Sequence, residues 1–395
     1  MSFRSAARAA VAGQSCFPRT PVAVVVIAIV ILAGLSLSCA NSSRPTQTEP
    51  SHNAYVTLPA KGTVLLMQIN SATGFITIGA QTPPEEDYSP TGLALLPSKK
   101  FLYVANSRAN TISIFNVAPN GTLTLSGTPT PAGGTGPNVA VIDPSGQYLL
   151  VTNTFTNNIS VFSIDAGTGA LSAIAGSPFD ANSSPTGILI TPSGKFVYVT
   201  NPAIGMVTAF SFSSGVLTPV PGSPFPSLPG GGGGAAALAV DVSERFLYVA
   251  NPLATNPLVP TIGNISGFNI DPDTGALSTI LGSPFTSTFG NGPTALTADP
   301  GGKFLYAVTP GSSYSIWCFA ITATNGQLTA VSDSPFSVAA GGLFSLIDPV
   351  GNFFYIGGSS GIEGYTFDPS TGKPTVITGS PFSAGTAPGQ MVFSE

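Results

Sequence analysis

The hexapeptide FLYVAN at Phe101–Asn106 returns as YLLVTN at Tyr148–Asn153, FVYVTN at Phe196–Asn201 and FLYVAN at Phe246–Asn251. Weaker copies follow, FLYAVT at Phe304–Thr309 and FFYIGG at Phe353–Gly358, and a copy without its first residue, AYVTL, opens at Ala54. Taking the third residue as marker, the copies fall at Tyr55, Tyr103, Leu150, Tyr198, Tyr248, Tyr306 and Tyr355, with spacings of 48, 47, 48, 50, 58 and 49 residues. A period in this range means one supersecondary unit used repeatedly, each copy burying its apolar face against its neighbours.

The fullest unit runs from Pro90 to Gly127. Gly92–Leu96 is a short apolar strand, Pro97–Lys100 a turn, Phe101–Ala105 a second strand, Thr111–Val117 an alternating third and Thr122–Leu125 a fourth. Four short antiparallel strands per repeat is the pattern of a β-propeller blade. We label the strands A to D and expect A innermost and buried on both faces, because its apolar run is unbroken. The repeat begins at strand B and ends with PGQMVFS at Pro388–Ser394, which matches strand A. The prediction is an all-β, seven-bladed propeller of four-stranded antiparallel blades. Its C-terminal strand joins the N-terminal blade, numbered 1 here, and so removes the open sheet edges.

The turns repeat too. Asp143-Pro-Ser-Gly, Thr191-Pro-Ser-Gly, Asp299-Pro-Gly-Gly and Asp348-Pro-Val-Gly join A to B; Asp165-Ala-Gly-Thr-Gly, Asp271-Pro-Asp-Thr-Gly and Asp368-Pro-Ser-Thr-Gly join C to D. Asp caps such a turn, Pro presets φ and Gly accepts positive φ. Recurrence therefore makes these carboxylates structural rather than catalytic. After D comes GSPF at Gly176, Gly222, Gly282 and Gly379, with DSPF at Asp333; its Phe reads as a wedge between blades.

Only 7% of the residues are charged, against about 25% in typical globular proteins. Past Cys39 there are 9 Lys and Arg against 17 Asp and Glu, with no basic patch, so no nucleic-acid partner is expected. Residues 1–38 read as a signal peptide or N-terminal anchor. Arg4, Arg8 and Arg19 supply positive charge, and Val22–Leu35 is a 14-residue apolar run, short for a membrane span. The stretch LSLSC at Leu35–Cys39 resembles a lipoprotein signal, which makes Cys39 the candidate acyl site; simple secretion and an uncleaved anchor are the rivals. Residues 39–53 form a polar tether expected to be disordered. The protein is thus expected to be exported to the periplasm, outer membrane or extracellular space, to touch a membrane only through its N-terminus, and to be a monomer. Of the three Cys, Cys318 lies in a strand pattern beside Trp317 and reads as a buried inert thiol.

The YVAN and YVTN strands, the PSG turns and the seven units together resemble the YVTN-repeat propellers and the lactonase family of seven-bladed propellers, whose named members include 6-phosphogluconolactonase. The resemblance covers residues 54–395. No repeated Trp-Asp argues for WD40, and no repeated Gly-Gly with Tyr and Trp for kelch. The resemblance implies a ligand cleft around the central channel, on the face carrying the B–C and D–A loops, and lactone hydrolysis as the family's activity. Relatives place His, Glu and Arg in that cleft.

On that face Asn106, Asn153, Asn201 and Asn251 end their B strands. They either tie down their own B–C loops or form a ring of amides able to bond a sugar or lactone. Arg108 is the only Arg in a B–C loop and the candidate anion anchor, unless simply solvated. Glu85, Glu86 and Asp87 form an acidic cluster, a solvated loop or a seat for Ca²⁺ or a cationic ligand. Two long loops, Pro221–Gly234 and Asn251–Thr261, read as a lid or partner rim, or as neutral growth. No metal site, cofactor, nucleotide loop or confident catalytic residue is assigned. The single His, His52, falls in the tether, and the remaining candidate bases are Glu85, Glu86, Asp87 and Asp180, with Glu363 in a C strand. The sequence therefore predicts a binding or interaction module for an envelope or extracellular partner, or for a small carbohydrate or lactone ligand. A lactonase-type hydrolase is the alternative.

Overall fold

The computed structural model describes residues 51–84, 88–228, 234–252, 263–286, 292–310, 314–339, 341–349, 353–359 and 361–394. All belong to the compact unit Glu49–Glu395. The leader, most of the tether and Cys39 lie outside the described residues, as do Glu85, Glu86, Asp87, the glycine run 229–233 of the first long loop and most of the second.

Seven antiparallel sheets follow one another around an axis, each ordered A-B-C-D. Blade 2 is representative: Pro90–Leu95, Phe101–Asn106, Thr111–Val117 and Leu123–Leu125. Blade 1 is assembled from both chain ends. Its strands Ser51–Leu58, Thr63–Asn70 and Ile76–Gln81 are joined by Met391–Ser394. Asn53 pairs with Ser394 and Val56 with Met391, so the C-terminal strand closes the ring as its sequence predicts. Strand B of this blade starts at Ser51, three residues ahead of the expected Ala54, and takes in His52.

The buried strand is B rather than A. All six residues of Phe101–Asn106, Phe196–Asn201, Phe246–Asn251, Phe304–Thr309 and Phe353–Gly358 are buried. The A strands are innermost but half-exposed, as in Pro137–Ile142 and Phe344–Ile347, because their inner face lines an open channel. An apolar run alone does not distinguish a strand covered on both sides from one facing a channel.

The core is divided by blade junctions. The described residues form seven hydrophobic clusters, and each is shared by two neighbouring blades. The recurring Tyr explains the joint. Tyr55, Tyr103, Tyr198, Tyr248, Tyr306 and Tyr355 are wholly buried. Their hydroxyls donate to the carbonyls of Gly121, Gly169, Gly275, Gly326, Gly372 and Gly74, each in the C–D turn of the next blade, at 2.8–3.0 Å. The first aromatic of the hexapeptide packs on the same glycine. A Cβ on Gly169 would stand 2.6 Å from Phe101, and one on Gly275 2.3 Å from Phe196. Those turns need glycine for positive φ and equally for this close approach. Blade 3 carries Leu150 in place of Tyr, and there the Tyr148 ring covers Gly215.

The GSPF repeat has two uses. After a short strand D the chain crosses back and pairs briefly with the first half of strand C, as at Phe179–Asp180 with Asn158–Ile159. The Ser hydroxyls of Ser177, Ser223, Ser283, Ser334 and Ser380 accept strand C backbone N–H bonds at 2.9–3.0 Å. The adjoining rings Phe179, Phe225, Phe285, Phe336 and Phe382 pack into the clusters between blades, the expected wedge.

Candidate functional site

The seven A strands enclose a channel of about 610 Å³. Its polar side chains are Thr91, Asn138, Thr186, Thr294, Ser345 and Gln390, set among aliphatic positions such as Val139, Ile188, Leu238 and Leu296. No Asp, Glu, Lys, Arg or His lines it among the described residues. Several of these groups knit one blade to the next around the wall. Thr91 Oγ1 donates to Pro137 O (3.1 Å), Thr294 Oγ1 to Gly342 O (2.8 Å) and Asn138 Nδ2 to Thr186 O (3.5 Å), while Gln390 Oε1 accepts from Leu93 N (3.2 Å). The wall therefore offers neutral donors and acceptors between apolar patches. It holds no ionisable base to take a proton from water and no cation to hold a phosphate.

The four asparagines are not among the residues lining this channel. Each is buried at a corner of its own blade, where its amide nitrogen bonds strand C or the adjoining crossing. Asn106 Nδ2 donates to Ser113 Oγ at 2.8 Å, Asn153 Nδ2 to Ser160 Oγ at 2.8 Å and Asn251 Nδ2 to Ser266 Oγ at 2.9 Å. Asn201 donates to the Ala181 and Ser183 carbonyls at 2.7 and 2.9 Å and accepts from Thr208 Oγ1. The tie is thus to a neighbouring strand's hydroxyl as well as to loop backbone.

Arg108 is exposed in the B–C loop of blade 2, its backbone N–H bonded to Tyr88 O. Asp180 turns its carboxylate onto Asn182 N at 3.1 Å. Glu363 is buried on strand C of blade 7, where it accepts from Ala339 N at 3.3 Å and from the Tyr365 hydroxyl. Burial and that carboxylate hold the Tyr365 phenol far above its ordinary pKa. Burial likewise pushes the Cys318 thiol up to about 12, which makes it inert. Asp143, Asp165, Asp271, Asp299 and Asp368 cap turns as the sequence predicts; Asp165 Oδ1, for example, accepts from Gly167 N and Thr168 N.

The lining residues were within reach of sequence reasoning. Pro90-Thr91, Pro137-Asn138, Pro185-Thr186, Pro293-Thr294 and Pro388-Gly389 put one residue after a recurring Pro at the head of each of five A strands. That register, rather than the Asn ending strand B, marks the channel mouth.

Comparison with known proteins agrees with the geometry. The chain matches the family described as lactonase, 7-bladed beta-propeller, over residues 47–178 and 173–345. No curated protein matches it. Among solved structures it is similar to a protein of Bacteroides fragilis provisionally named 6-phosphogluconolactonase, at 21% identity and a TM-score of 0.72, over 89% of this chain and 100% of that one. A Bacteroides uniformis protein with the same provisional name matches at 18% identity and TM-score 0.72, over 87% and 99%. The periplasmic gluconolactonase of Pseudomonas aeruginosa matches at 17% and 0.71, over 88% and 99%. At these identities the structures share the fold, and with the family match over most of its length the chain belongs to the lactonase family of seven-bladed β-propellers.

Proposed function

We propose that this propeller is an exported binding module whose channel takes a neutral, hydroxyl-rich ligand of carbohydrate or sugar-lactone type and does not hydrolyse it efficiently. The observation that carries the reading is the uncharged channel wall. Asn138 and Gln390 offer amides, Thr186 and Ser345 hydroxyls, and the aliphatic positions between them suit the C–H faces of a sugar ring. An envelope or extracellular partner docking on the B–C and D–A loops is the macromolecular form of the same role. Export rests on the charged and apolar leader, with Cys39 as the proposed acyl site. Loss of membrane association in Cys39→Ala would support lipidation; unaltered association removes it.

The test is calorimetric titration of the full chain with neutral sugars, their lactones and the corresponding sugar acids. Binding of the neutral compounds, weakened at least tenfold in Asn138→Leu, is the expected result. Binding only of the acids contradicts the reading.

Lactone hydrolysis is the second reading, favoured by the names that the similar structures carry. Through the channel it would need a proton acceptor and oxyanion donors brought there by residues outside the wall described above.

A further inference from the structure

Antiparallel pairing puts the head of every A strand at the B–C and D–A loops and its tail at the A–B turns, so register sorts the channel wall by depth. The mouth carries Thr91, Asn138, Thr186 and Thr294, with Gln390 beside them; Ala236 and Leu343 are its apolar exceptions. Thr91 Oγ1 donates to Pro137 O and Thr294 Oγ1 to Gly342 O. Their protons are committed to backbone, which leaves the hydroxyl lone pairs to accept from a ligand's O–H groups.

Four residues along from Asn138, about 13 Å of strand, the chemistry has changed. The residues paired with the second position of the hexapeptide are Leu95, Ile142, Ile190, Val240, Ala298 and Ile347 in blades 2 to 7. Every one is aliphatic and partly exposed. Ile142 and Ile190 line the channel itself, and Phe393, paired with Ala54, holds the same level in blade 1. Between the two levels the wall is Val141, Ile188, Leu189, Leu238 and Leu296. The Ser345 hydroxyl among them lies 2.7 Å from that of Thr297, so it is already partnered.

We propose that the channel seats a neutral amphiphile, a sugar head on one linear alkyl chain, with the head among Thr91, Asn138, Thr186 and Thr294 and the chain running down the bore past Ile142 and Ile190. The proposal rests on the reading of the channel as a site for a neutral, hydroxyl-rich ligand and adds a tail to that ligand. A second sugar unit below the mouth would turn its hydroxyls onto aliphatic side chains and leave them unpaired, whereas an alkyl chain has nothing to leave unpaired. The channel volume of about 610 Å³ lies within the roughly 300–1,000 Å³ of small-molecule sites.

The test is calorimetric titration of the full chain with methyl, butyl, hexyl and octyl β-glucoside, each below its micelle concentration. Affinity should rise about fourfold for each added methylene, the gain from burying one CH₂, until the bore is filled. Ile142→Asn combined with Ile190→Asn should weaken octyl glucoside at least tenfold and leave methyl glucoside unchanged, which also shows that the variant is folded. Asn138→Leu should weaken every member of the series alike. Because Ile142 and Ile190 also pack between blades, Ile190→Thr, close to isoleucine in shape, is the second variant; it should weaken octyl glucoside severalfold without touching methyl glucoside. Equal affinity for methyl and octyl glucoside overturns the tail and leaves the neutral-sugar reading standing, whereas no binding by any member overturns both. A dependence on tail length that survives in both isoleucine variants puts the chain outside the bore and overturns the proposal as well.

Discussion

Blades 2 to 5 and blades 6, 7 and 1 follow one plan but differ at the corner where strand B meets the B–C loop. In the first arc an Asn ends strand B and bonds a hydroxyl two residues into strand C: Asn106 with Ser113, Asn153 with Ser160, Asn201 with Thr208, Asn251 with Ser266. In the second arc the same two places hold Thr309 and Trp317, Gly358 and Glu363, and Leu58 and Leu65. The polar tie is replaced by a buried indole, a buried carboxylate bonded to Tyr365, and aliphatic packing. The latch between blades does not follow this division. Tyr306, Tyr355 and Tyr55 in the second arc bond the next turn as Tyr103, Tyr198 and Tyr248 do in the first, and the junction without a hydroxyl, at Leu150, falls in the regular arc. Contacts between blades are held more strictly than the corner within a blade, because an open junction would expose a whole apolar cluster.

This contrast can be broken most severely at the closing strand. Deleting Pro388–Glu395 removes the A strand of blade 1 and leaves the inner edge of its strand B unpaired. The truncated chain should lose its cooperative thermal transition or aggregate; an unchanged melt contradicts closure. Tyr198→Phe should cost roughly 1–3 kcal/mol, since the Gly275 carbonyl loses a buried donor. Tyr355→Phe at the seam should cost a similar amount if the latch is equal in both arcs. A several-fold larger loss at Tyr355 would show that the seam is the weaker joint.

The corner should discriminate the arcs. Asn153→Ala strands the hydroxyl partner in a buried site and should cost about 1–2 kcal/mol in a denaturant melt. Thr309→Ala, at the equivalent place in blade 6, should cost less, because its hydroxyl makes only a long 3.4 Å bond to Ser315 O. The smallest effect concerns acid. Asp165 is held below the usual carboxylate range by the Thr168 hydroxyl and turn amides, Asp271 by Thr274 and Asp368 by Ser370. A lowered folded-state pKa contributes stability above the ordinary carboxylate value, and that stability is lost as pH falls through the folded one. Replacing all three by Asn should therefore lower the melting temperature slightly near neutrality and flatten its dependence on pH below about pH 4.

Much of the ring was legible because repetition exposes it. Seven copies of one strand, turns with Asp and Gly in fixed places, and a leftover strand A at the C-terminus point to blade number and closure before any contact is seen. The roles of single positions were less legible. The Tyr hydroxyl and its Gly carbonyl lie 66 to 281 residues apart, and nothing local announces their bond. The Asn of YVAN reads either as a tie for its own loop or as a ligand amide because it ends a strand on the loop face; its side chain turns to strand C, a partner the motif itself does not show. His52 read as tether because the repeat copy there lacks its first residue, so pairing with Asn70 and Ile69 carried strand B further back than the motif did. The channel wall was harder to see because Thr and Asn after a Pro look like ordinary turn residues until seven blades bring them round one axis.

The account turns on a channel that binds without cleaving. The most direct measurement is ring opening of 6-phosphogluconolactone and of neutral sugar lactones by the full chain, run beside the spontaneous reaction. The account predicts that 6-phosphogluconolactone and the neutral lactones open at close to the spontaneous rate. Turnover of either lactone well above the spontaneous rate that collapses in Asn138→Leu or Arg108→Ala would contradict it.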